Sequence, residues 1–217
     1  MKILLTLLFC PLLGFAQSGE LEVIKAVASL NFAKNLDHAQ NGELWGYHSG
    51  KIGIPSASST LKDQGANTYN ISNTHDLDLR TAWIEGKRGY GIGETISFKM
   101  DYSSDAGYAK VYNFAGVIEL FNGYCKSEKV WNENSRIKTL MLTLNDTPVC
   151  LIELVDTWQY QSIDLRKLFK EPRKFPNAEF EITHNDVLNF KIMEVYEGTK
   201  YKDTALSELV FSNIISN

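Results

Sequence analysis

The sequence predicts an all-β protein, an antiparallel β-sandwich preceded by a short helical or irregular extension at the N-terminus. Polar and apolar residues alternate in several short stretches after residue 92, which is typical of half-buried strands. Turn residues separate these stretches at intervals of about 8–12 residues, as in sandwiches and barrels. The composition, 44% hydrophobic and 22% charged over 217 residues, excludes a disordered, collagenous or coiled-coil chain.

The first sixteen residues have the pattern of a secretory signal peptide. Met1-Lys2 is a short positive region, residues 3–13 are an apolar run, and Gly14-Phe15-Ala16 supplies small residues at a cleavage site. The apolar run is shorter than the ~20 residues that a membrane-spanning helix needs. We therefore expect cleavage near Ala16, before Gln17, and a secreted or periplasmic protein without an integral membrane span.

The next segment, residues 17–54, is interpreted as an N-terminal extension of a β domain that occupies residues 55–217. Apolar residues at helical spacing, from Leu21 to Ala28, predict one short helix within residues 20–33. Residues 34–80 are rich in Asn, Asp, Ser, Gly and His and are predicted to form loops with short strands.

The β domain contains one well-marked hairpin. Apolar and polar residues alternate on both sides of Asn145-Asp146-Thr147-Pro148, which has the composition of a turn, so a hairpin is predicted over residues 137–155. The same alternation predicts a strand at residues 95–100. Further strands are predicted at residues 118–124, 178–183, 188–196 and 209–214.

The charge and the motifs exclude several classes of function. The net charge is −4 without a dense Lys/Arg patch, so neither nucleic acid nor an anionic membrane is an expected partner. The sequence contains no G-x-S-x-G, P-loop or H-E-x-x-H motif and no Cys/His cluster with zinc spacing. The glycine-rich stretch Gly89–Gly93 leads into a strand and not a helix, so we do not expect it to bind phosphate.

Glu85 and Glu94 flank that glycine-rich stretch and leave one enzymatic alternative open. Two nearby carboxylates can act as acid and base on a glycosidic bond, so a small secreted hydrolase is conceivable. The favoured interpretation is that both side chains anchor the loop by accepting backbone N–H bonds. We therefore expect a protein that is not an enzyme.

Two polar loops have the composition of a sugar-binding surface. The first, residues 122–136, combines an aromatic residue with amides and charges of both signs, and the second is residues 196–204. Loops at one end of a sandwich cluster, so the two are expected to form one surface. Two interpretations of the first loop stay open: Trp131 stacks on a sugar, or it packs into the core while Arg136 forms a structural ion pair.

The cysteines also leave two interpretations open. Cys10 lies in the signal peptide, whereas Cys125 and Cys150 remain as an even pair in an oxidising compartment. They form either a disulfide or two buried thiols, because the sequence does not give the distance between their Cα atoms.

Several elements of the sequence, in this order, are similar to those of the NADase-type glycan-binding domain. This is the NAD glycohydrolase translocation family, a divergent relative of the discoidin or F5/8 type C modules, and the resemblance covers roughly residues 55–212. The elements are Ala57–Thr60, Thr81–Gly86 with Gly91–Glu94, Asn122–Lys126, Asn134–Lys138, Asp156-Thr157 and Val195–Leu209.

The resemblance implies a jelly-roll sandwich that binds a glycan or cell-surface polysaccharide, without NADase activity. A protein-interaction or envelope-assembly module of the same fold is the alternative. The predicted glycan contacts are Tyr124, Lys126, Trp131, Asn134, Arg136, Tyr201 and Asp203. The predicted supporting residues of the loops are Trp83, Glu85, Glu94 and Asn122.

One feature departs from the family pattern. An insert at residues 102–114 lengthens the first hairpin of the core and would alter the sugar surface if it folded over the loops.

A metal site is a separate question. Discoidin relatives sometimes hold calcium, and Asp76 and Asp78 offer oxygen ligands, but a solvated acidic loop is favoured and no cofactor is expected.

Overall fold

A computed structural model describes residues 20–28, 53–100, 113–169 and 180–214. These ranges contain eleven strands, an α-helix, α1 (Glu128–Glu133), and a 3₁₀ helix (Ile71–His75). The strands are β1 (Val23–Lys25), β2 (Val27–Ala28), β3 (Gly53–Ala57), β4 (Trp83–Ile84), β5 (Thr95–Met100), β6 (Asn113–Asn122), β7 (Ser135–Leu144), β8 (Thr147–Glu153), β9 (Tyr160–Asp164), β10 (Val187–Tyr196) and β11 (Thr204–Ile214).

The strands form the two layers of a β-sandwich, as the sequence predicted. One layer has the order β2-β9-β6-β11, and the other has the order β8-β7-β10-β5-β3. Strand β11 links them, because its first residues, Thr204 and Ala205, pair with β7 and its later residues, from Glu208 on, pair with β6. Strand β11, the last of the described strands, therefore lies at the centre of the fold.

Aromatic side chains from both layers meet in the core. Strand β5 buries Ile96, Phe98 and Met100 completely, and the alternation that predicted this strand is the reason. The ring of Phe98 lies 6.0 Å from that of Phe190 in the same layer and 5.0 Å from that of Phe211 in the other, both edge to face. Burial of these rings is a main source of the free energy that holds the layers together.

The predicted hairpin is confirmed as β7 and β8. Its two-residue turn, Asn145 and Asp146, has φ angles of 48° and 68°, values that Asn and Asp tolerate better than other residues with a Cβ. The Asn145 side chain also accepts a bond from the Val187 N–H at 2.9 Å, which ties the turn to β10.

The predicted N-terminal helix is wrong where the structure describes it. Residues 23–25 form β1, parallel to β8, and residues 27–28 form β2, antiparallel to β9. The edges of β8 and β9 carry main-chain groups that need partners, and the segment supplies them, as in the 2.9 Å bond from the Ala26 N–H to the Glu153 carbonyl. A weak helical periodicity cannot outweigh these bonds.

Other boundaries also differ from those predicted. The strand expected at residues 178–183 is reduced, in its described part, to an isolated bridge at Phe180. The strand expected at 118–124 ends at Asn122, and the last strand begins at Thr204 and not at residue 209. Strand β9 escaped prediction because one of its two inward-facing residues is polar: Gln161 is fully buried.

Some expectations fall outside the described residues. They are the signal peptide at residues 1–16, most of the extension at 17–54, and residues 102–112 of the insert. No helix in the described ranges has the length and apolar character needed to cross a bilayer.

Candidate functional site

The first polar loop contains the short helix α1, where the sequence analysis expected an irregular loop. Ser127 caps its start, because its side chain accepts the Val130 N–H at 3.3 Å. Asn134 ends it: both its backbone N–H and its side-chain amide donate to the Val130 carbonyl. The helix therefore has a fixed length and places its C-terminal end at the surface.

The second polar loop closes that end of α1. The backbone N–H groups of Lys200 and Tyr201 both donate to the Glu133 carbonyl, at 3.1 and 2.8 Å, and that of Thr199 donates to Asn132 at 2.9 Å. Gly198 packs directly on the Asn134 backbone, where a Cβ would collide. The two loops form one surface, as the sequence analysis expected.

A cleft of about 260 Å³ opens beside this junction and contains five of the seven predicted contact residues. We call it the tyrosine cleft, after Tyr69, Tyr124 and Tyr201. The predicted residues that line it are Tyr124, Lys126, Asn134, Tyr201 and Asp203, and the others are Leu61, Gln64, Asn67, Tyr69, Ile84, Val130 and Glu133.

Tyr69 and Tyr124 form the inner wall of the cleft. Their rings meet edge to face with centroids 6.5 Å apart, and the Tyr124 hydroxyl donates to the Arg80 carbonyl at 3.2 Å. Burial raises the pKa of both phenols, so both are neutral donors at physiological pH. Tyr201 is different: 41% of it is exposed, at the rim.

Asp203 is the half-buried acid of the cleft. Its backbone carbonyl accepts the Ser135 N–H at 3.2 Å, which fixes the residue against the start of β7. Its carboxylate has no hydrogen-bond donor from another described residue, and burial raises its pKa. The other charged residues of the cleft have partners: Glu133 lies 3.9 Å from Lys129, and Lys126 donates to Asn67 at 3.4 Å.

Trp131 and Arg136, also predicted as sugar contacts, are structural residues. Trp131 is only 9% exposed, and its indole N–H donates to the Asn122 carbonyl at 2.8 Å. The Arg136 guanidinium lies 4.2 Å from the centre of that ring and pairs with Asp156 at 2.8 Å. The second interpretation of this loop is the one that fits, because Trp131 is buried and Arg136 covers one face of its indole.

Trp83 and Asn122, predicted as supporting residues, are fully buried. The Trp83 indole N–H donates to the Ser59 carbonyl at 3.0 Å, and the Asn122 side chain bonds both the N–H and the carbonyl of Ile137. Asn122 thereby joins β6 to β7 directly behind α1.

Glu85 and Glu94 do not line the cleft. Glu85 has no exposed surface, and its two oxygens accept the N–H groups of Lys87 at 2.7 Å and Thr204 at 3.3 Å. Glu94 accepts the Ser58 hydroxyl at 2.6 Å. The interpretation that these carboxylates anchor the loop is the one that fits, since Glu85 is inaccessible to a glycosidic oxygen.

The cysteines are free in the structure, so a disulfide between them is not formed. Cys125 packs with Trp131 in a small cluster behind α1, whereas Cys150 lies in the main core between the layers. Burial raises the pKa of both thiols to about 12. They are therefore protonated and unreactive at physiological pH.

The acidic segment considered for calcium meets a buried glutamate that the sequence analysis did not single out. Asp78 pairs with Arg80, but Asp76 faces Glu208, a fully buried residue. Among the described residues, no three His, Cys, Asp or Glu side chains are grouped to hold a metal. Burial, together with the hydrogen bond that Glu208 shares with the adjacent Asp76, raises the pKa of Glu208 to about 10. The Glu208 carboxyl is therefore protonated at physiological pH, and the two acids share a proton.

Comparisons with known proteins agree with this fold. The family model of the NAD glycohydrolase translocation F5/8 type C domain matches residues 46–212. A solved structure of the CBM32-1 and CBM32-2 domains of Clostridium perfringens ZmpB is similar, with 13% identity and a TM-score of 0.50 over 92% of this chain and 43% of that one. A structure that adds the M60 catalytic domain gives 15% identity and a TM-score of 0.51 over 93% and 18%.

At these identities the structural likeness establishes the fold, that of discoidin-like carbohydrate-binding modules. The chain spans less than half the length of either solved chain. No curated protein matches it.

Proposed function

Because the chain belongs to the NAD glycohydrolase translocation F5/8 type C domain family, we propose that it is an exported, non-catalytic module that binds a glycan in the tyrosine cleft. One observation carries the proposal. Five residues from three separate sequence elements line one cleft. Tyr124 and Lys126 come from the first element, Asn134 from the second, and Tyr201 and Asp203 from the third. The core of a sandwich does not require that convergence, whereas a binding site does.

The chemistry of the cleft suits a sugar. Tyrosine rings pack against the C–H face of a pyranose, while Asp203, Asn134 and the phenol of Tyr201 can exchange hydrogen bonds with its hydroxyls. The volume of about 260 Å³ is below the ~300–1,000 Å³ of pockets for drug-sized ligands. We therefore expect the cleft to hold a single terminal residue of a glycan and not an internal stretch.

The expected affinity is low. A hydrogen bond to a sugar replaces one to water and gains only ~0.5–1.5 kcal/mol. A few such bonds with one or two ring contacts give a Kd in about the millimolar to micromolar range. Tight attachment to a cell surface would require several modules or a repeated ligand.

Tyr201→Ala is expected to abolish glycan binding without unfolding the protein, because this tyrosine is exposed and lines the cleft. The measurement is a glycan array with protein purified after expression of the full chain. Tyr90→Ala is the matched control: it removes a tyrosine from the neighbouring loop that does not line the cleft. Wild-type and control proteins should bind the same sugars.

Two outcomes would contradict the proposal. Binding that survives in Tyr201→Ala would place the site elsewhere. No binding to any sugar by a folded wild-type protein would favour the alternative, a protein-interaction or envelope-assembly module of the same fold, to be tested by pull-down from envelope fractions.

A further inference from the structure

We infer that the ligand of the tyrosine cleft carries a free ammonium group, as in an amino sugar that is not N-acetylated. The inference rests on the proposed function and deepens it. It starts from the unpaired carboxylate of Asp203, which is half-buried in a cleft that also contains three tyrosine side chains.

The backbone of Asp203 is held in place, which fixes the point at which its side chain leaves the main chain. Its carbonyl accepts the Ser135 N–H, and the N–H of the next residue, Thr204, donates to the buried Glu85 carboxylate. Its carboxylate accepts a hydrogen bond from its own backbone N–H and from no other described residue, so little replaces the hydration that it loses on burial. A cation from the ligand would supply the missing partner.

No other charged residue of the cleft supplies a cation to Asp203. Glu133 is neutralised from its own helix by Lys129, and Lys126 is exposed at the rim, where its ammonium donates to Asn67. Deeper in the cleft, burial is the main cause that raises the pKa of the Tyr69 phenol, and Tyr201, Asp63 and Asp203 add to the rise. The two carboxylates near the inner wall favour a cation there over an anion.

The tyrosine rings of the cleft also favour a cationic ligand, because the face of an aromatic ring attracts cations. The loop already makes such contacts with its own lysines. The Lys200 ammonium lies 4.6 Å from the centre of the Tyr201 ring, and that of Lys202 lies 5.3 Å from the centre of the Tyr90 ring. An N-acetyl group has no charge for Asp203 and occupies more of a small cleft.

The test compares D-glucosamine and D-galactosamine with their N-acetylated forms, in NMR titrations of protein purified after expression of the full chain. The titrations are run at about pH 6, below the ~7.7–8.0 pKa of an α-amine, so that the amine is charged. We expect the amines to bind about tenfold tighter, since a bond between charged groups is stronger than a neutral one. Raising the salt to about 1 M should reduce that difference, but by less than it would for two exposed charges, because Asp203 is half-buried.

Two variants of opposite sign sharpen the test. Asp203→Asn keeps the shape and removes the charge, so it should abolish the preference for the amine while the N-acetylated sugars bind as before. Lys126→Gln removes a positive charge from the rim of the cleft, so less repulsion opposes an incoming ammonium group and the amines should bind more tightly. Asp146→Asn, in the turn at the far end of β7, is the matched control and should change neither.

The outcomes separate this inference from the proposed function. If the N-acetylated sugars bind as tightly as the amines or more tightly, and Tyr201→Ala abolishes that binding, the ammonium inference fails and the proposed function stands. If a preference for amines persists unchanged in Asp203→Asn, the inference fails as well. If no sugar of either kind, and none on the array, binds the folded protein, both fail.

Discussion

Replacing Trp131 with alanine is expected to destabilise the protein by about 3–5 kcal/mol, and not merely to weaken binding. The indole is 91% buried, its N–H bonds the Asn122 carbonyl, and one face carries the Arg136 guanidinium. The substitution leaves a cavity behind α1 and strips a buried arginine of its ring. Chemical unfolding in urea, followed by circular dichroism, measures the loss.

Trp131→Phe is the control for this prediction. It keeps most of the apolar volume and loses only the indole N–H, so its cost should be about 1–3 kcal/mol. The structural role would be contradicted if Trp131→Ala unfolded at the same urea concentration as the wild type but no longer bound sugar. That result would identify Trp131 as a sugar contact.

Gly123→Ala should also have a large effect, a loss of about 2–6 kcal/mol. Gly123 has a φ of +89°, and a Cβ there would lie 2.7 Å from the Trp131 Cδ1 atom and 2.8 Å from the Arg136 Cγ atom. The new methyl group therefore adds backbone strain, about 1–3 kcal/mol, to overpacking of about 1–3 kcal/mol. Thermal unfolding of purified variants measures the sum.

Gly89→Ala is the control that measures the backbone strain without the overpacking. Its φ is +111°, but a Cβ there would meet nothing within 4 Å. The variant should therefore lose only the strain part, and the difference between the two substitutions should report the crowding around Trp131. Equal losses at both positions would show that Trp131 and Arg136 move aside freely.

The fold was largely predictable because its strands follow a simple rule. Where one face is buried and the other is exposed, as at Thr95–Met100 and in the β7–β8 hairpin, apolar residues alternate and reveal the strand. The rule fails for β9, which buries Gln161 because the amide bonds both the N–H and the carbonyl of Val155. It fails for β1 and β2 because their partners, 120 or more positions away, decide their conformation.

The cleft was predictable in part, through composition. Tyr124, Lys126, Asn134, Tyr201 and Asp203 lie in two polar loops that the topology brings together. Tyr69, by contrast, lies in a stretch without periodicity or motif, so no local signal indicated that it would form the inner wall.

Trp131 and Arg136 were predicted to contact sugar but are structural residues, and the difference has a physical cause. An aromatic residue beside amides and charges has the same composition whether it faces a sugar or the core. The short helix α1 decides the direction, because it turns Trp131 inward and its C-terminal end outward. The sequence analysis treated that segment as an irregular loop and so left the direction open.

The central position of β11 has a consequence for the order in which the protein can fold. On the ribosome, residues 204–214 are made after the other strands that the structure describes, yet β6 and β7 both need them as a neighbour. A nascent chain that lacks them has two half-sandwiches with unsatisfied edges and no stable way to join them. The two layers should therefore join only after residues 204–214 have been made.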